Sequence, residues 1–209
     1  MVRPAADADR RLRQQEILTA AQQLLGEKGY KKTSMLDIAR RAGASKETLY
    51  AWFGDKQGLF SALIDHNGEA LRTTLTEAIT KGVDEDPMSV LVAFAESLLH
   101  LLTGERSVAL NRAAISEASQ DTSLSYTLVA HGRDALLPLL ADRLTTMAQA
   151  GTLTLTDPMD AAEIYLGLVL TDLPVRRLLG VSVSPDEMEI KFRAYRGVEH
   201  FMRLYRAET

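Results

Sequence analysis

The side chains best suited to chemistry lie close together in the sequence, between residues 33 and 60. They combine hydroxyl groups, one lysine, one glutamate and two aromatic rings with polar edges. Such groups form hydrogen bonds and attract anions. They include no activated nucleophile, because the chain has no cysteine and its four histidines are scattered. The chemistry they favour is therefore recognition, and the residues concerned are Ser45, Lys46, Glu47, Thr48, Tyr50 and Trp52.

Two very short helices must position these side chains. The pattern predicts helices at 34–41 and 45–52, joined by a turn in which Gly43 accepts the left-handed conformation that closes a helix and Ser45 caps the next one. Helices of about eight residues are marginal alone, so they must pack on their neighbours. The apolar residues expected to do this are Ile38, Ala39, Leu49, Phe53, Leu59 and Phe60. This arrangement is typical of a helix-turn-helix.

Packing leaves the opposite face of the second short helix free. Its donors, acceptors and aromatic edges suit the bases and phosphates of a DNA major groove. Tyr50 and Trp52 could instead fill the core, but Leu49 and Phe53 already occupy the inward positions of that helix. The sequence therefore predicts that this face contacts DNA.

Roughly residues 14–64 resemble the tetracycline-repressor (TetR) family of bacterial regulators. The C-terminal part is similar, through shorter segments at 110–119, 152–162 and 166–170, to the AefR-type subgroup of that family. The N-terminal match consists of many positions at fixed spacing: Gly29-Tyr30, Thr33-Ser34, Ile38-Ala39, Ala42-Gly43, Ser45, Thr48-Leu49-Tyr50, Phe53, Lys56 and Leu59.

The resemblance implies a role for individual residues in DNA binding. Thr33 and Ser34 match a helix start that touches phosphate, and Lys56 matches a phosphate-binding lysine. The turn and the first turn of the second short helix match the part that reads base edges, and the two aromatic residues match positions against the sugar-phosphate backbone. The predicted DNA-binding set is Thr33, Ser34, Ala44, Ser45, Lys46, Glu47, Thr48, Tyr50, Trp52 and Lys56. Ala51 and Trp52 themselves depart from the side chains common in the family.

Three further arginines precede this segment, Arg10, Arg11 and Arg13. Two interpretations stay open for them. They could enter the minor groove of DNA, as the arms of other DNA-binding proteins do, or belong to a solvated flexible tail.

Charge is distributed unevenly along the 209 residues. The net charge is −4, yet residues 1–66 hold 11 Lys and Arg against 8 Asp and Glu, whereas residues 67–209 hold 13 against 20. The basic part coincides with the predicted helix-turn-helix. We therefore expect a DNA-binding domain at 1–66 and a helical effector-binding and dimerisation domain at 67–209.

The whole chain has helical periodicity and predicts an all-α fold. Asp86, Asp157 and Ser184 each precede a proline and are expected to cap helices. An acidic turn at 83–86 is the most natural internal seam. About nine helices are expected, near 10–27, 34–41, 45–52, 55–81, 87–103, 105–118, 122–150, 158–179 and 185–206.

The helix near 158–179 is apolar on nearly every side, so it must be buried on two sides. The last helix offers apolar residues at matching spacing, which predicts a symmetric homodimer. A dimer would place two recognition helices about 34–36 Å apart, as a palindromic operator requires. The predicted interface is Ile164, Leu168, Met188, Phe192, Tyr195 and Met202.

An effector site is implied by the resemblance alone. The residues on the corresponding helices combine apolar lining with a few polar groups, which suits a small, largely apolar molecule. Each of them fits an ordinary core equally well. They are Phe94, Leu98, Asn111, Ile115, Tyr126, His131 and Tyr165.

These expectations describe a dimeric, cytoplasmic, ligand-responsive repressor that a small molecule releases from its operator. No cofactor, metal, membrane span or enzymatic activity is expected, because the chain lacks long apolar runs, clustered metal ligands and nucleophile motifs. The alternative from another class is an all-helical enzyme or ligand carrier that uses a C-terminal cavity. An activator, or a regulator that answers to a protein partner, also remains open.

Overall fold

The computed structural model describes residues 4–80 and 86–207, with side chains for all of these except 4–7, 70–71 and 74–80. No strand occurs in these ranges, where an isolated bridge pairs Leu153 with Arg206. The all-α prediction is confirmed. The helices are α1 (Pro4–Lys32), α2 (Met35–Ala42), α3 (Lys46–Phe53), α4 (Lys56–Thr80), α5 (Pro87–Thr103), α6 (Glu105–Glu117), α7 (Ser123–His131), α8 (Arg133–Gln149), α9 (Pro158–Leu170), α10 (Leu173–Leu179) and α11 (Glu187–Tyr205).

Two helices that the sequence predicts as continuous are each broken in two, which gives eleven described helices instead of about nine. The predicted helix at 122–150 breaks at Gly132. The one at 158–179 breaks at Thr171, whose φ of 48° lies in the left-handed region. Pro174 explains the second break, because proline cannot donate a backbone hydrogen bond to the carbonyl of Leu170.

Helix starts agree with the predicted caps in two of three cases. Asp86 caps α5 and Asp157 caps α9, each accepting from backbone N–H groups of the first turn. The cap predicted at Ser184 is wrong, since α11 begins two residues later with Asp186 as its cap. Of the predicted acidic seam at 83–86, Asp86 alone lies among the described residues.

The chain divides into two compact units. The first contains residues 1–66 together with 109–129, and the second contains residues 67–108 together with 130–209. The domain boundary predicted at residue 66 puts 109–129 in the C-terminal domain. In the structure this segment belongs to the first unit because Leu110, Ala113 and Leu124 join its core.

The core of the first unit holds α1 to α3 and the start of α4 together. Ile17 and Leu24 of α1, Ile38 of α2 and Leu49 of α3 are buried against Phe60 of α4. Burial of this apolar surface stabilises helices that are too short to persist alone.

The core of the second unit is formed by α5, α8, α9 and α11. Tyr165 stacks on Phe94 with ring centroids 5.8 Å apart and meets the edge of Phe201 at 5.4 Å. Gly197 lets α11 approach α9 closely. A Cβ atom at this position would lie 2.9 Å from Cα of Val169.

No single helix in the described ranges is long and apolar enough to cross a membrane. The bent pair α5 and α6 meets that requirement jointly by length and composition. Most of the large apolar side chains of α5 are buried in the core of the second unit.

Candidate functional site

The helix-turn-helix is built from α2, α3 and the turn between them. Ser34 caps α2 by accepting from the backbone N–H of Asp37, and the carboxylate of Asp37 accepts in return from the backbone N–H of Ser34. The hydroxyl of Ser34 also donates to the carboxylate of Asp37, at 2.9 Å. This hydrogen bond most of all, and then the one from the backbone N–H of Ser34, lower the pKa of Asp37. Gly43 closes α2 with a φ of 60°. Ser45 then caps α3 by accepting from the N–H of Thr48 at 3.0 Å.

Helix α3 buries one face and leaves the other in solvent. Leu49 is buried, whereas Lys46, Glu47 and Tyr50 are exposed. The ammonium of Lys46 lies 5.5 Å from the ring centroid of Tyr50, within the range of a cation–π contact. The exposed face therefore combines a positive charge, a carboxylate and a phenol.

The remaining predicted contacts of α3 are less exposed. Thr48 is half-buried, and its hydroxyl is hydrogen-bonded to that of Ser45 at 2.9 Å. Ala44 and Trp52 are also half-buried and pack against the core of the first unit. The ring of Trp52 lies under the guanidinium of Arg10, with 5.5 Å between Cζ and the ring centroid.

Thr33 faces the interior and not the solvent. Its side chain is only 1% exposed, and its hydroxyl donates to the carbonyl of Gly29 at 2.8 Å and approaches that of Leu24 at 3.3 Å. A hydroxyl held in this way cannot donate to a DNA phosphate. Ser34, in contrast, is exposed at the start of α2, close to the backbone N–H groups of its first turn.

Lys56 is half-buried at the start of α4. Its ammonium donates to the backbone carbonyl of Tyr30 at 2.5 Å and lies 3.9 Å from the centroid of the Tyr30 ring. Burial lowers the pKa of Lys56, and the nearby carboxylate of Glu117 opposes this effect. Lys56 thus links the start of α4 to the end of α1. The spacing of residues in the sequence did not predict this interaction.

The first unit also contains polar contacts that the sequence analysis missed. Lys31 donates to Gln120 at 2.7 Å, and Gln57 donates to Thr127 at 3.2 Å. The partners are 89 and 70 residues apart. No local pattern in the sequence marks such pairs.

The seven predicted effector residues do not come together in one unit. Asn111, Ile115 and Tyr126 belong to the first unit, where Ile115 and Tyr126 are exposed. The others belong to the second unit, where Phe94, Leu98 and Tyr165 are buried core residues and His131 is half-buried. The Tyr165 hydroxyl donates to the carbonyl of Leu91 at 2.6 Å, and burial raises its pKa well above the ordinary value.

The predicted dimer residues lie on α9 and α11. Met188, Phe192 and Tyr195 are exposed by 78%, 60% and 56%, and their spacing puts them on one face of α11. Ile164, Leu168 and Met202 are half-buried. Large apolar side chains grouped on an exposed helix face are typical of a surface that another protein covers.

Among residues 4–80 and 86–207, no three His, Asp or Glu side chains are grouped so that they could hold a metal ion. The expectation of no cofactor stays a prediction.

The fold and the surface of α3 define a helical protein with an N-terminal helix-turn-helix. Residues 17–63 match the family described as bacterial regulatory proteins, tetR family. Residues 89–207 match the AefR-like transcriptional repressor, C-terminal domain. The chain belongs to the TetR family of DNA-binding transcriptional regulators, with a C-terminal domain of the AefR-like type.

Solved structures agree with this assignment over nearly the whole chain. A TetR-family regulator from Mesorhizobium loti is 26% identical, with a TM-score of 0.80 over 94% of this chain and 98% of that one. A TetR regulator from Agrobacterium tumefaciens is 35% identical, with a TM-score of 0.76 over 94% and 95%. The flavonoid-responsive regulator FrrA is 31% identical, with a TM-score of 0.68 over 94% and 98%.

Proposed function

We propose that this protein is a homodimeric, cytoplasmic repressor that binds a palindromic operator through α3 and leaves it when a small, largely apolar effector binds. The observation that supports this most is the exposed polar face of α3, which the core of the first unit does not use. The effector and the dimer are supported by the family and by the exposed apolar face of α11. The protein is proposed to have no enzymatic activity.

The proposed DNA contacts follow the geometry of the helix-turn-helix. Lys46, Glu47 and Tyr50 are proposed to enter the major groove, which their exposure and their position at the start and middle of α3 support. Ser34 and Ser45 lie at helix starts, where hydroxyl and backbone N–H groups attract phosphate. Ala44 and Thr48 border the same turn, and Trp52 adds an aromatic edge. Thr33 is left out because its hydroxyl is committed to the interior.

Lys56 stays in the proposed DNA-binding set, but only some of its N–H donors are available to a phosphate. An ammonium has three donors, and one of them binds the carbonyl of Tyr30. Its main role is to fix the start of α4 against α1.

The proposed dimer joins two copies through α9 and α11. Met188, Phe192 and Tyr195 would be covered by the same face of the second copy, with Ile164, Leu168 and Met202 at its border. Such a pairing removes exposed apolar side chains from water, at about 25 cal/mol for each Å² buried.

The effector is proposed to be an aromatic, largely apolar molecule of the flavonoid kind. FrrA, which is described as flavonoid-responsive, supports this at 31% identity over 94% of the chain. Phe94, Leu98 and Tyr165 are proposed to contact the effector within the second unit, where the rings of Phe94 and Tyr165 suit stacking on an aromatic molecule. His131, which also belongs to the second unit, is proposed to join them.

Release from DNA requires that the effector bind the DNA-free conformation more tightly than the DNA-bound one. Helix α4 is the proposed transmitter, because the division between the two units falls inside it, after His66.

The experiment begins by selecting operator fragments from genomic DNA with the purified protein. The double variant Lys46→Ala, Tyr50→Phe is then compared with wild type on that operator. A matched control removes one cation and one phenol hydroxyl outside the proposed DNA, dimer and effector residues, as Arg106→Ala, Tyr205→Phe. We expect the first variant to lose at least about tenfold in affinity, on the basis of 1–3 kcal/mol for each lost base or phosphate contact, and the control to bind as wild type does.

Sequence-specific binding that is unchanged in the Lys46, Tyr50 variant would refute the assignment of α3. The effector is tested separately by adding a panel of flavonoids to the operator complex. Release of DNA is expected; a complex that every flavonoid leaves intact would refute this part and leave the DNA-binding proposal standing.

A further inference from the structure

Two arginines of α1 contact the two ends of α3. Arg10 and Arg13 are three residues apart and therefore lie on one face of α1. Arg10 lies over Trp52, which belongs to the last turn of α3. Arg13 donates from Nη2 to the carbonyl of Gly43, at 2.6 Å, in the turn that leads into α3. One face of α1 thus contacts both the last turn of the recognition helix and the turn that precedes it.

The contact of Arg10 with Trp52 leaves a positive charge at the surface. Arg10 is exposed, and its guanidinium is 5.5 Å from the ring centroid. A cation–π contact orients a guanidinium without neutralising it. The charge is therefore held beside α3, next to an aromatic side chain proposed to face the sugar-phosphate backbone. A planar guanidinium is well suited to bind a phosphate there.

The contact of Arg13 holds the turn before α3, whereas the contact of Arg10 holds a charge at the surface. Gly43 has a φ of 60°, and its carbonyl is the acceptor of the Arg13 guanidinium. The same guanidinium forms an ion pair with Glu16 through its Nη1 atom. Because Gly43 is two residues before Ser45, the cap of α3, a tether on its carbonyl helps to set where α3 begins.

We propose that Arg10 is a phosphate-binding residue of the DNA interface and that Arg13 is a positioning residue that holds the turn before α3. The proposal rests on the DNA-binding function proposed above. It selects between the two interpretations that the sequence leaves open, since both arginines belong to α1 and not to a free tail.

Arg10 is tested by measuring operator affinity as a function of salt concentration for wild type, Arg10→Gln and Arg11→Gln. Arg11 is the matched control, because it is exposed and has the same charge but points about 100° away around the helix. We expect Arg10→Gln to weaken binding to operator and to unrelated DNA by the same factor and to reduce the slope of log K against log salt by about 2, one phosphate contact for each copy in the dimer. The slope for Arg11→Gln is expected to equal that of wild type.

Equal slopes for Arg10→Gln and wild type would overturn the role of Arg10. So would an equal loss of slope in both variants, because that result would reflect net charge alone.

Arg13 is tested by the ratio of affinities for operator and scrambled DNA. Arg13→Gln removes the charged donor, whereas Arg13→Lys keeps one that can still approach the Gly43 carbonyl. We expect the ratio to fall about tenfold in Arg13→Gln, the effect of one charged hydrogen bond, and to recover in large part in Arg13→Lys. An unchanged ratio in Arg13→Gln, or a ratio in Arg13→Lys as low as that of Arg13→Gln, would overturn the positioning role.

These outcomes are separate from failure of the proposed function. If wild type itself selects no DNA sequence, the proposed function fails; if wild type binds its operator and the variants behave as wild type does, only the inference about α1 fails. Circular dichroism of each variant checks that the helices are retained.

Discussion

Helices α3 and α11 both expose large side chains, but the chemistry of the two faces differs. The exposed face of α3 carries Lys46, Glu47 and Tyr50, whereas that of α11 carries Met188, Phe192 and Tyr195. The first face offers charges and hydrogen-bonding groups. The second offers apolar side chains to water.

This difference separates two kinds of recognition. DNA presents phosphates and polar base edges, so a surface that binds it needs charged and hydrogen-bonding groups and little apolar area. An apolar face gains free energy only when another apolar face covers it. The comparison therefore supports the proposal that α3 binds DNA and that α11 binds a second copy of the chain, and the following changes test that proposal.

The largest effect is expected from Phe192→Asp on α11. A carboxylate at the centre of a symmetric apolar interface would meet its own copy, and burying it unpaired costs about 4 kcal/mol, or roughly a thousandfold in the dimer dissociation constant. Sedimentation equilibrium should show monomers. Gln149→Asp, an equal change of charge at an exposed residue at the end of α8, should leave a dimer. A Phe192→Asp protein that remains dimeric would remove α11 from the interface.

The inward face of α11 is tested by Gly197→Ala. The new methyl group would lie 2.9 Å from Cα of Val169 and 3.0 Å from the carbonyl oxygen of Leu168, so backbone must move. The expected loss in the free energy of unfolding is about 1–3 kcal/mol, measured with urea at fixed protein concentration.

The matched control is Gly26→Ala in α1, where nothing lies within 4 Å of the new methyl group. This change should stabilise the protein by about 0.5–1 kcal/mol, since alanine favours a helix more than glycine does. Equal effects of the two substitutions would contradict the close approach of α11 to α9.

Ser45→Ala removes the cap of α3 and is expected to lower the free energy of unfolding by about 1 kcal/mol. The backbone N–H of Thr48 loses its acceptor at 3.0 Å, so hydrogen exchange should be faster in α3. Ser45→Asp keeps an acceptor at the cap and serves as the control. Dimerisation through α11 should be the same in both variants, and a change in it would show that the two faces are not independent.

The smallest effect is expected from Asp37→Asn in α2. Hydrogen bonds from Ser34 lower the pKa of Asp37 in the folded protein, so its carboxylate stabilises the fold above the unfolded pKa of about 4. This stabilisation is lost as the pH falls through the lowered folded pKa. Urea denaturation should therefore show a small deficit for Asp37→Asn at neutral pH that disappears in acid. Ser34→Ala and Asp37→Asn both remove the hydrogen bond between the Ser34 hydroxyl and the Asp37 carboxylate, so the double variant should lose less than the sum of the two single variants; additive losses would contradict the capping box.

The sequence by itself determined the helical class, the helix-turn-helix and most of its local geometry. Gly43 and Ser45 fix the turn through properties of single residues, and Asp86 and Asp157 act as caps next to proline. Signals of this kind depend on neighbours within about four residues, so spacing alone reveals them.

Only the tertiary structure decided which polar side chains remain available to contact DNA. Thr33 and Lys56 lie at positions that suggest phosphate contacts, yet one hydroxyl is buried and one ammonium is held by Tyr30. The packing of 109–129 with the first unit and the position of Arg10 over Trp52 were likewise not predicted. These features join residues that are distant in sequence. The free energy that favours them comes from burial of side chains and from pairing of charges, and a local sequence pattern predicts neither.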